Sequence, residues 1–207
     1  MNIIELEKYL FQLSEFLKAR NLQFEITIVG GGAILLNHRF NMQTVDVDII
    51  GPQDDVFKQA IEEVANKNQI EKEWMNTDFV LTSSYSKAIE SEAVFYANYN
   101  DSLIINTIPD DIIITMKLKA YREYKHDRTD IILLMNENPN ITVQQIENNC
   151  IKLYGDIRKI SKRAWNFLDR VTKREVDLSS NIKEEIEANE LLHIYMNNFN
   201  FTMHNRK

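Results

Sequence analysis

Apolar residues recur at helical spacing at the start of the chain and at strand spacing soon after. Positions 3, 6, 10, 13 and 17 are apolar, which predicts an amphipathic helix over residues 3–20. The β-branched run Phe24–Val29 predicts a first strand, and Ala33–His38 a short helix. Val45–Ile50 predicts a second strand, in which two aspartates interrupt an otherwise apolar run.

The rest of the chain divides into a mixed half and a helical half. After a helix that ends near Asn66, we expect three strand-like pieces, at 79–82, 93–96 and 103–108. Beyond Pro109 the pattern is helical, with helices predicted at 110–124, 128–136, 142–153, 157–173 and 181–195. This order predicts an α+β fold, a mixed β-sheet flanked by helices with a C-terminal helical region. The predicted domains are 1–136 and 137–207.

Composition excludes several classes of protein. Of the 207 residues, 44% are hydrophobic and 27% are charged, which is typical of a globular chain and not of a disordered or fibrous one. No run approaches the roughly 18 apolar residues that cross a bilayer, so we expect no membrane partner. The N-terminus lacks the features of a secretory signal. The lone Cys150 cannot form an internal disulfide, which favours a cytoplasmic location.

Charge is distributed unevenly along the chain. The formal net charge is −7, and the first hundred residues carry the whole acidic excess. The segment Ile157–Arg174 instead holds seven basic residues and one acidic residue. A basic helix of this kind could contact an RNA backbone, and the alternative is an ordinary solvated helix face.

The glycine row Gly30–Gly32 follows the first predicted strand and precedes a predicted helix. In that position small residues let a ligand approach the backbone, and the first free N–H groups of the helix face an anion. The spacing matches neither the dinucleotide-binding fingerprint nor the P-loop. Phosphate binding is therefore one interpretation, and a tight strand-to-helix turn is the other.

Asp46 and Asp48 are the two acids within the second predicted strand. Because side chains alternate along a strand, we expect both carboxylates on one face, roughly 6.6 Å apart. Like charges so placed need compensation, which a hard divalent cation such as Mg2+ provides through carboxylate oxygens and substrate phosphate. The alternative is a solvated sheet edge that the charges protect from pairing.

Taken together, these residues resemble a known signature. Gly30 and Gly31, a short helix, and then Asp46-Val47-Asp48 resemble the motif of the nucleotidyltransferase superfamily, the DNA polymerase β-like fold. With Arg39 and Thr44, the run is similar to a small prokaryotic branch that includes nucleotidyltransferase toxins of abortive-infection systems. The later motifs Met116–Ala120, Arg122 and Lys125–Asp130 follow in the order common in that branch.

The resemblance implies roles for specific residues. Nucleotide binding would fall to Gly30, Gly31, Gly32, Arg39, Thr44 and Lys117. Asp46 and Asp48 would bind Mg2+ or Mn2+, and the catalytic set would be Asp46, Asp48, Lys117, Asp127 and Asp130. The implied reaction moves a nucleoside monophosphate from a nucleoside triphosphate (NTP) to a hydroxyl of an RNA, for example a tRNA-like molecule, or of a protein. A cognate antitoxin would be a further partner.

Three positions leave alternatives open. Lys117 interrupts the apolar stripe of its predicted helix, so it either reaches solvent or serves an anion. Asp127 and Asp130 are spaced to share a helix face, either as catalytic acids or as capping residues with surface ion pairs. Asn106 stands on the strand where many members of the superfamily supply a third carboxylate. Either Asp127 or Asp130 replaces that acid, or the chain is a nucleotide-binding or protein-interaction module without efficient turnover.

Overall fold

The helices and strands described below come from a computed structural model, which describes residues 1–39, 43–123, 125–188 and 190. Helices α1 to α8 are Ile3–Lys18, Gly30–His38, Asp55–Asn68, Asp110–Ala120, Asp127–Glu137, Val143–Tyr154, Lys162–Thr172 and 178–188. Strands β1 to β5 are Phe24–Ile28, Val47–Ile50, Met75–Asn76, Val94–Tyr99 and Leu103–Thr107. Short 3-10 helices cover Asp78–Leu81, Lys87–Glu92 and Ile157–Lys159.

Contacts divide the chain into two compact units. The first is Met1–Ile113 and the second is Ile114–Lys207, so the division falls inside α4. The domain boundary predicted between residues 136 and 137 stays a prediction. Within the described part of the chain, no helix has the length and apolar character needed to cross a membrane.

The first unit is built on a mixed sheet with the strand order β3-β2-β1-β5-β4. Strand β1 runs antiparallel to β2 and parallel to β5, while β2 is parallel to β3 and β4 is antiparallel to β5. Together with the helices that follow in the second unit, this sheet confirms the predicted α+β fold.

One face of the sheet carries the core of the first unit. Helix α1 contacts α3 and β5, and Asn2 opens it with a capping box that includes Glu5. The leucines of α1 recur at helical spacing and are buried. Fully buried strand residues on the same side are Ile26, Ile28, Val47, Ile49, Leu103 and Ile105.

The opposite face of the sheet is more polar. Thr27 of β1 pairs with Ile50 of β2 and with Asn106 of β5, so these three side chains share a face. Because alternation has a period of two residues, Glu25 and Asp48 lie on that face as well. Of the residues predicted from the sequence to carry chemistry in the first unit, Asp48 therefore lies on this polar face, and the glycine row follows the end of β1.

Two predicted strands differ in the structure. The segment predicted as a strand at 79–82 is instead a 3-10 turn, because Asn76 accepts a hydrogen bond from the Asp78 amide and the Thr82 hydroxyl donates to Phe79 O. Such local side-chain bonds compete with strand pairing. The second predicted strand begins at Val47 and not two residues earlier.

The second unit is helical in its described part. The predicted capping box formed by Thr142 and Gln145 is confirmed at the start of α6. The single helix predicted over 157–173 is broken, because Asp156 and Ser161 each accept a backbone hydrogen bond and so begin new helical segments. The helix predicted over 181–195 is described as 178–188, and its remaining positions other than 190 lie outside the described residues.

Candidate active site

Helix α2 begins within the glycine row itself. Gly30 is its first residue and has φ +59°, a left-handed conformation that glycine adopts without a steric penalty. Val29 occupies the N-cap position and has no side-chain acceptor, so the first amides of α2 lack a side-chain cap from it. The N-terminus of α2 therefore presents N–H donors and the positive end of the helix dipole to an approaching anion.

The other two glycines are required for close packing. A Cβ atom at Gly31 would lie 3.0 Å from Oγ1 of Thr44. At Gly32 a Cβ atom would lie 2.8 Å from Cγ2 of Ile28 and 3.3 Å from Cγ1 of Val47. Gly32 thus lets α2 pack tightly on β1 and β2, and Gly31 leaves room for the threonine.

Asp48 lies beside the first glycine. A Cβ atom at Gly30 would be 3.6 Å from Oδ2 of Asp48, and the Asp48 side chain is half-buried. The backbone fixes this approach, because the amide of Val29 donates a hydrogen bond of 3.0 Å to the carbonyl of Asp48. The structure therefore brings a carboxylate to the N-terminus of α2.

Asp46 is exposed and lies just before β2. Its Oδ2 accepts a long hydrogen bond of 3.4 Å from Nδ2 of Asn76, and its carbonyl accepts one of 2.8 Å from the hydroxyl of Thr44. Because that turn delays the strand until Val47, Asp46 lies outside β2, and the prediction that the two carboxylates share one face stays a prediction. The two carboxylates are still separated by a single residue.

Arg39 and Thr44 are the two polar residues between the glycines and the aspartates that are predicted to bind nucleotide. Thr44 lies beside the glycine row. Arg39 caps the opposite end of α2, a nine-residue helix that spans about 13 Å. Its two terminal nitrogens donate to Glu7 at 2.8 and 2.9 Å, and the Tyr96 hydroxyl donates to the same carboxylate. The described contacts bring Thr44, and not Arg39, next to Gly31.

Asn106 occupies the position on β5 where the resemblance to the superfamily would place a third carboxylate. It is 8% exposed, and its Nδ2 donates a hydrogen bond of 2.7 Å to Oε1 of Glu25 on β1. Glu25 is therefore an acid at this position that the sequence argument missed. The signal for it was the alternation within Phe24–Ile28, which puts Glu25 and Thr27 on one face, combined with the parallel pairing to β5.

Asp46 and Asp48 supply part of the set of oxygen ligands that a hard cation such as Mg2+ requires. Within the described residues, no group of three His, Cys, Asp or Glu side chains is placed to hold a metal ion. Mg2+ is commonly bound through one or two carboxylates, with substrate phosphate and water completing six oxygen ligands. Asp48 provides one such carboxylate next to the N-terminus of α2, and Asp46 provides a second two residues before it, so the residues present fit this ion.

The remaining predicted residues form a buried cluster in the second unit. Nζ of Lys117 lies 2.6 Å from Oδ2 of Asp130 and 3.3 Å from Oδ1 of Asp127. Arg122 donates to Asp127 through its backbone amide, its Nε and one terminal nitrogen. Asp127 and Asp130 are 0% and 3% exposed, so their ion pairs are buried and do not lie on the surface. Two acids and two bases make the cluster formally neutral.

Burial and charge oppose each other in this cluster. Burial acts to lower the pKa of Lys117, but Asp130 and Asp127 outweigh it and raise that pKa above its ordinary value of 10.5. Burial also acts to raise the pKa of Asp127, but Arg122 and Lys117 hold that pKa below its ordinary value of 3.8. Lys117 and Asp127 are therefore both charged near neutral pH.

Glu185 of α8 caps the start of α5, the helix that carries Asp127 and Asp130. The N-cap residue of α5, His126, makes no side-chain capping bond. Instead Glu185, which is 3% exposed, accepts hydrogen bonds from the amide and hydroxyl of Thr129 at 3.1 and 2.7 Å. Asn181 Nδ2 donates to Glu185 and to the Thr129 hydroxyl. This cap comes from a helix more than fifty residues away, so the sequence around α5 gave no sign of it.

A glycine-initiated helix beside Asp48, on a mixed sheet, fits the resemblance to the nucleotidyltransferase superfamily. The comparison with protein families agrees. The chain belongs to the family described as "Nucleotidyltransferase of unknown function (DUF6036)", which matches residues 8–133. The comparisons with curated proteins and with solved structures give no match.

Proposed function

We propose that the chain is a metal-dependent nucleotidyltransferase that moves a nucleoside monophosphate from an NTP to a hydroxyl acceptor. The observation that carries the proposal is the approach of Asp48 to Gly30, with Oδ2 only 3.6 Å from the site of a Cβ atom. A phosphate at the N-terminus of α2 would lie next to a carboxylate, and two anions so close require a cation between them.

The triphosphate would be held by the glycine row. The N–H groups at the start of α2 point outward from the helix, and Gly30 has no side chain to block them. Thr44, beside Gly31, adds a hydroxyl at the same end of the helix. The N–H groups would donate hydrogen bonds to the triphosphate and fix its position for transfer, and the Thr44 hydroxyl would join them after giving up its bond to the Asp46 carbonyl.

Asp46 and Asp48 would hold Mg2+ or Mn2+. When bound, such an ion would offset the negative charge of the triphosphate and of the departing pyrophosphate. The chain itself contributes the two carboxylates, one exposed before β2 and one half-buried at its start. Asp48 lies beside Gly30 at the first turn of α2, and Asp46 precedes it by two residues.

The reaction itself exchanges one phosphorus–oxygen bond for another. The acceptor oxygen forms a bond to the α-phosphorus, the bond from that phosphorus to the pyrophosphate oxygen breaks, and the hydroxyl proton passes to water. The acceptor would be an RNA, such as a tRNA-like molecule, or a protein. The seven basic residues within 157–174 support the RNA.

The roles predicted for Lys117, Asp127 and Asp130 in this reaction stay part of the proposal, as does nucleotide binding by Arg39. In the described structure the ammonium of Lys117 is engaged by two carboxylates, so a phosphate would have to compete with them for its charge. This arrangement supports a positioning role for the cluster at least as well as direct contact with the nucleotide.

A second candidate is a nucleotide-binding module that does not transfer. The observation in its favour is Asn106, an amide at the position of the third carboxylate. Its Nδ2 donates a hydrogen bond to Glu25. An amide brings no negative charge and cannot act as a base. Binding of an NTP with Mg2+, without any labelled product, would identify this second function.

Incubation with α-labelled NTPs, Mg2+ and total RNA tests the first candidate. We expect label in RNA or in the protein itself, and loss of that label by at least about a hundredfold in Asp48→Asn, since carboxylates that bind the ion act on the transition state. Asp101→Asn is the control, because it removes one exposed carboxylate from the turn between β4 and β5. Absence of label from every NTP would exclude transfer.

The resemblance also supports a toxin–antitoxin setting in the cytoplasm. Expression of the chain with its neighbouring gene, followed by purification through a tag on one of them, tests this setting. A stable complex whose formation abolishes labelling would support it. Full activity of the chain in the presence of every neighbouring product would argue against an antitoxin.

A further inference from the structure

A basic cavity lies within the second unit, and its lining includes none of the residues assigned above to nucleotide or metal binding. Its volume is about 770 Å³, and it is formed by α7, by the segment 175–177 and by α8, with Tyr121 and Arg128 in its wall. Four cationic side chains line it, namely Arg128, Lys162, Arg163 and Arg170. Lys162, Asn166 and Arg170 follow one another at four-residue spacing, so they form a single stripe along α7.

Two of these cations are not neutralised by the protein. Arg128 pairs with Glu184 at 3.0 Å, and Arg163 pairs with Glu123. The described part of the chain contains no ion-pair partner for Lys162 or Arg170. The acidic Asp177 in the wall is engaged by the amide and hydroxyl of Ser180, as the cap of α8. The lining also includes the acids Glu175 and Glu184, so its four cations exceed its three carboxylates by one positive charge.

Arg128 also carries an unused donor. Its side chain is 12% exposed, and its Nε is buried without a hydrogen-bond partner among the described residues. A buried donor left unpaired is unfavourable, and more so when the group is charged. An acceptor oxygen from a ligand in the cavity would satisfy it.

Tyr121 lines the same cavity as three of the arginines. Burial raises the pKa of Tyr121, whereas the charges of Arg128, Arg163 and Arg170 act to lower it. All three guanidinium groups are therefore close enough to its hydroxyl to act on it. Tyr121 packs on Phe167 with ring centroids 5.6 Å apart, which gives the cavity an aromatic wall beside its cations.

We propose that this cavity binds a nucleoside phosphate, supplied either as a free nucleotide or as the terminal nucleotide of a single-stranded RNA. Guanidinium groups match phosphate oxygens in a bidentate way, and an aromatic wall suits a base or sugar. The volume falls in the range of about 300–1,000 Å³ that is typical of small-ligand sites, so it fits one nucleotide and excludes a duplex. An acidic peptide would leave the aromatic wall unused.

The inference rests on the proposed function in one respect only: an RNA acceptor would be the natural source of that nucleotide. Binding requires neither the glycine row nor the two aspartates. The experiment therefore uses the full chain carrying Asp46→Asn and Asp48→Asn, so that failure of transfer does not affect the result.

Fluorescence anisotropy with a labelled single-stranded RNA oligonucleotide, at several salt concentrations, measures the binding. We expect Lys162→Gln with Arg170→Gln to weaken binding at least tenfold and to reduce the salt slope by about 1.4, since each phosphate contact on a single strand contributes about 0.7. The control pair is Lys58→Gln with Lys67→Gln, which removes the same charge from exposed positions on α3 of the first unit. Equal loss in both pairs would overturn the proposal.

Competition distinguishes the sources of the ligand. Displacement of the RNA by mononucleotides at micromolar concentration identifies a free nucleotide as the ligand, and displacement only by unlabelled RNA identifies an RNA end. Equal displacement by polyglutamate would show general attraction of anions and overturn the proposal. Failure of the parent chain to bind either the RNA or a labelled mononucleotide at low salt would also overturn it.

Discussion

Nζ of Lys117 lies 2.6 Å from Oδ2 of Asp130, although the two residues belong to different helices, α4 and α5. The pair is largely shielded from water, with side-chain exposures of 13% and 4%. The other oxygen of Asp130, Oδ1, is buried and has no hydrogen-bond partner in the described residues. Lys117 is therefore the group that compensates the charge of this aspartate.

Replacement of Lys117 by methionine should destabilise the second unit. Met keeps most of the side-chain volume but leaves Asp130 buried and uncompensated, which typically lowers the free energy of unfolding by about 3–5 kcal/mol. Urea unfolding followed by circular dichroism measures the loss. In Lys117→Met with Asp130→Asn both charges are gone, so we expect a loss well below that of Lys117→Met. If the double variant were as unstable as Lys117→Met, the loss of stability would not come from the uncompensated charge of Asp130.

The pH dependence of stability follows from Asp127. Its pKa in the folded state lies below 3.8, so its contribution to stability is present above pH 3.8 and is lost as the pH falls through the lower, folded value. We expect the melting temperature to fall steeply between about pH 4 and 2, and Asp127→Asn to show a flatter decline from a lower starting value. Asp101→Asn is the control. An unchanged acid decline in Asp127→Asn would contradict the assignment.

The sequence predicted those parts of the fold that depend on neighbouring residues. Helix α1 and the capping box at Thr142 rest on spacings of three and four positions, and strand β1 rests on a run of β-branched residues. The glycine row and Asp48 were also found together, because only a short helix separates them in the chain. Local patterns are sufficient where the partners are local.

The parts that the sequence did not predict depend on distant partners or on single hydroxyl groups. Asn106 meets Glu25 only because β1 and β5 pair in parallel, eighty residues apart, and the cap supplied by Glu185 comes from α8. The start of β2 is set by one hydrogen bond from Thr44 to Asp46. Pattern alone does not fix a register or a side-chain turn.

Replacement of Gly30 by alanine should reduce both stability and nucleotide binding. With φ +59°, a Cβ atom there is strained by about 1–2 kcal/mol, and its methyl group would occupy the space beside Oδ2 of Asp48. We expect NTP binding with Mg2+ to weaken at least tenfold, measured by isothermal titration calorimetry on the folded variant.

Gly155 provides the control for Gly30. It has φ +82°, also left-handed, and a Cβ atom there would meet no atom within 4 Å. Gly155→Ala should therefore show a similar loss of stability of about 1–2 kcal/mol with unchanged NTP affinity. Equal weakening of NTP binding in both variants would mean that strain, and not the approach to Asp48, explains the effect of Gly30→Ala.

Replacement of Asn106 by aspartate should destabilise the first unit at neutral pH. The variant loses the amide that donates to Glu25 and places two carboxylates at hydrogen-bonding distance, so we expect a loss of about 1.5–3 kcal/mol at pH 7. The loss should shrink as the pH falls toward 4, because two such carboxylates then share a proton and one donates to the other. Thermal unfolding at both pH values measures this.

Glu25→Gln with Asn106→Asp reverses the donor and acceptor and should recover most of the stability, because one amide and one carboxylate again face each other. A double variant as unstable as Asn106→Asp would show that the pair does not hold β1 and β5 together through this bond.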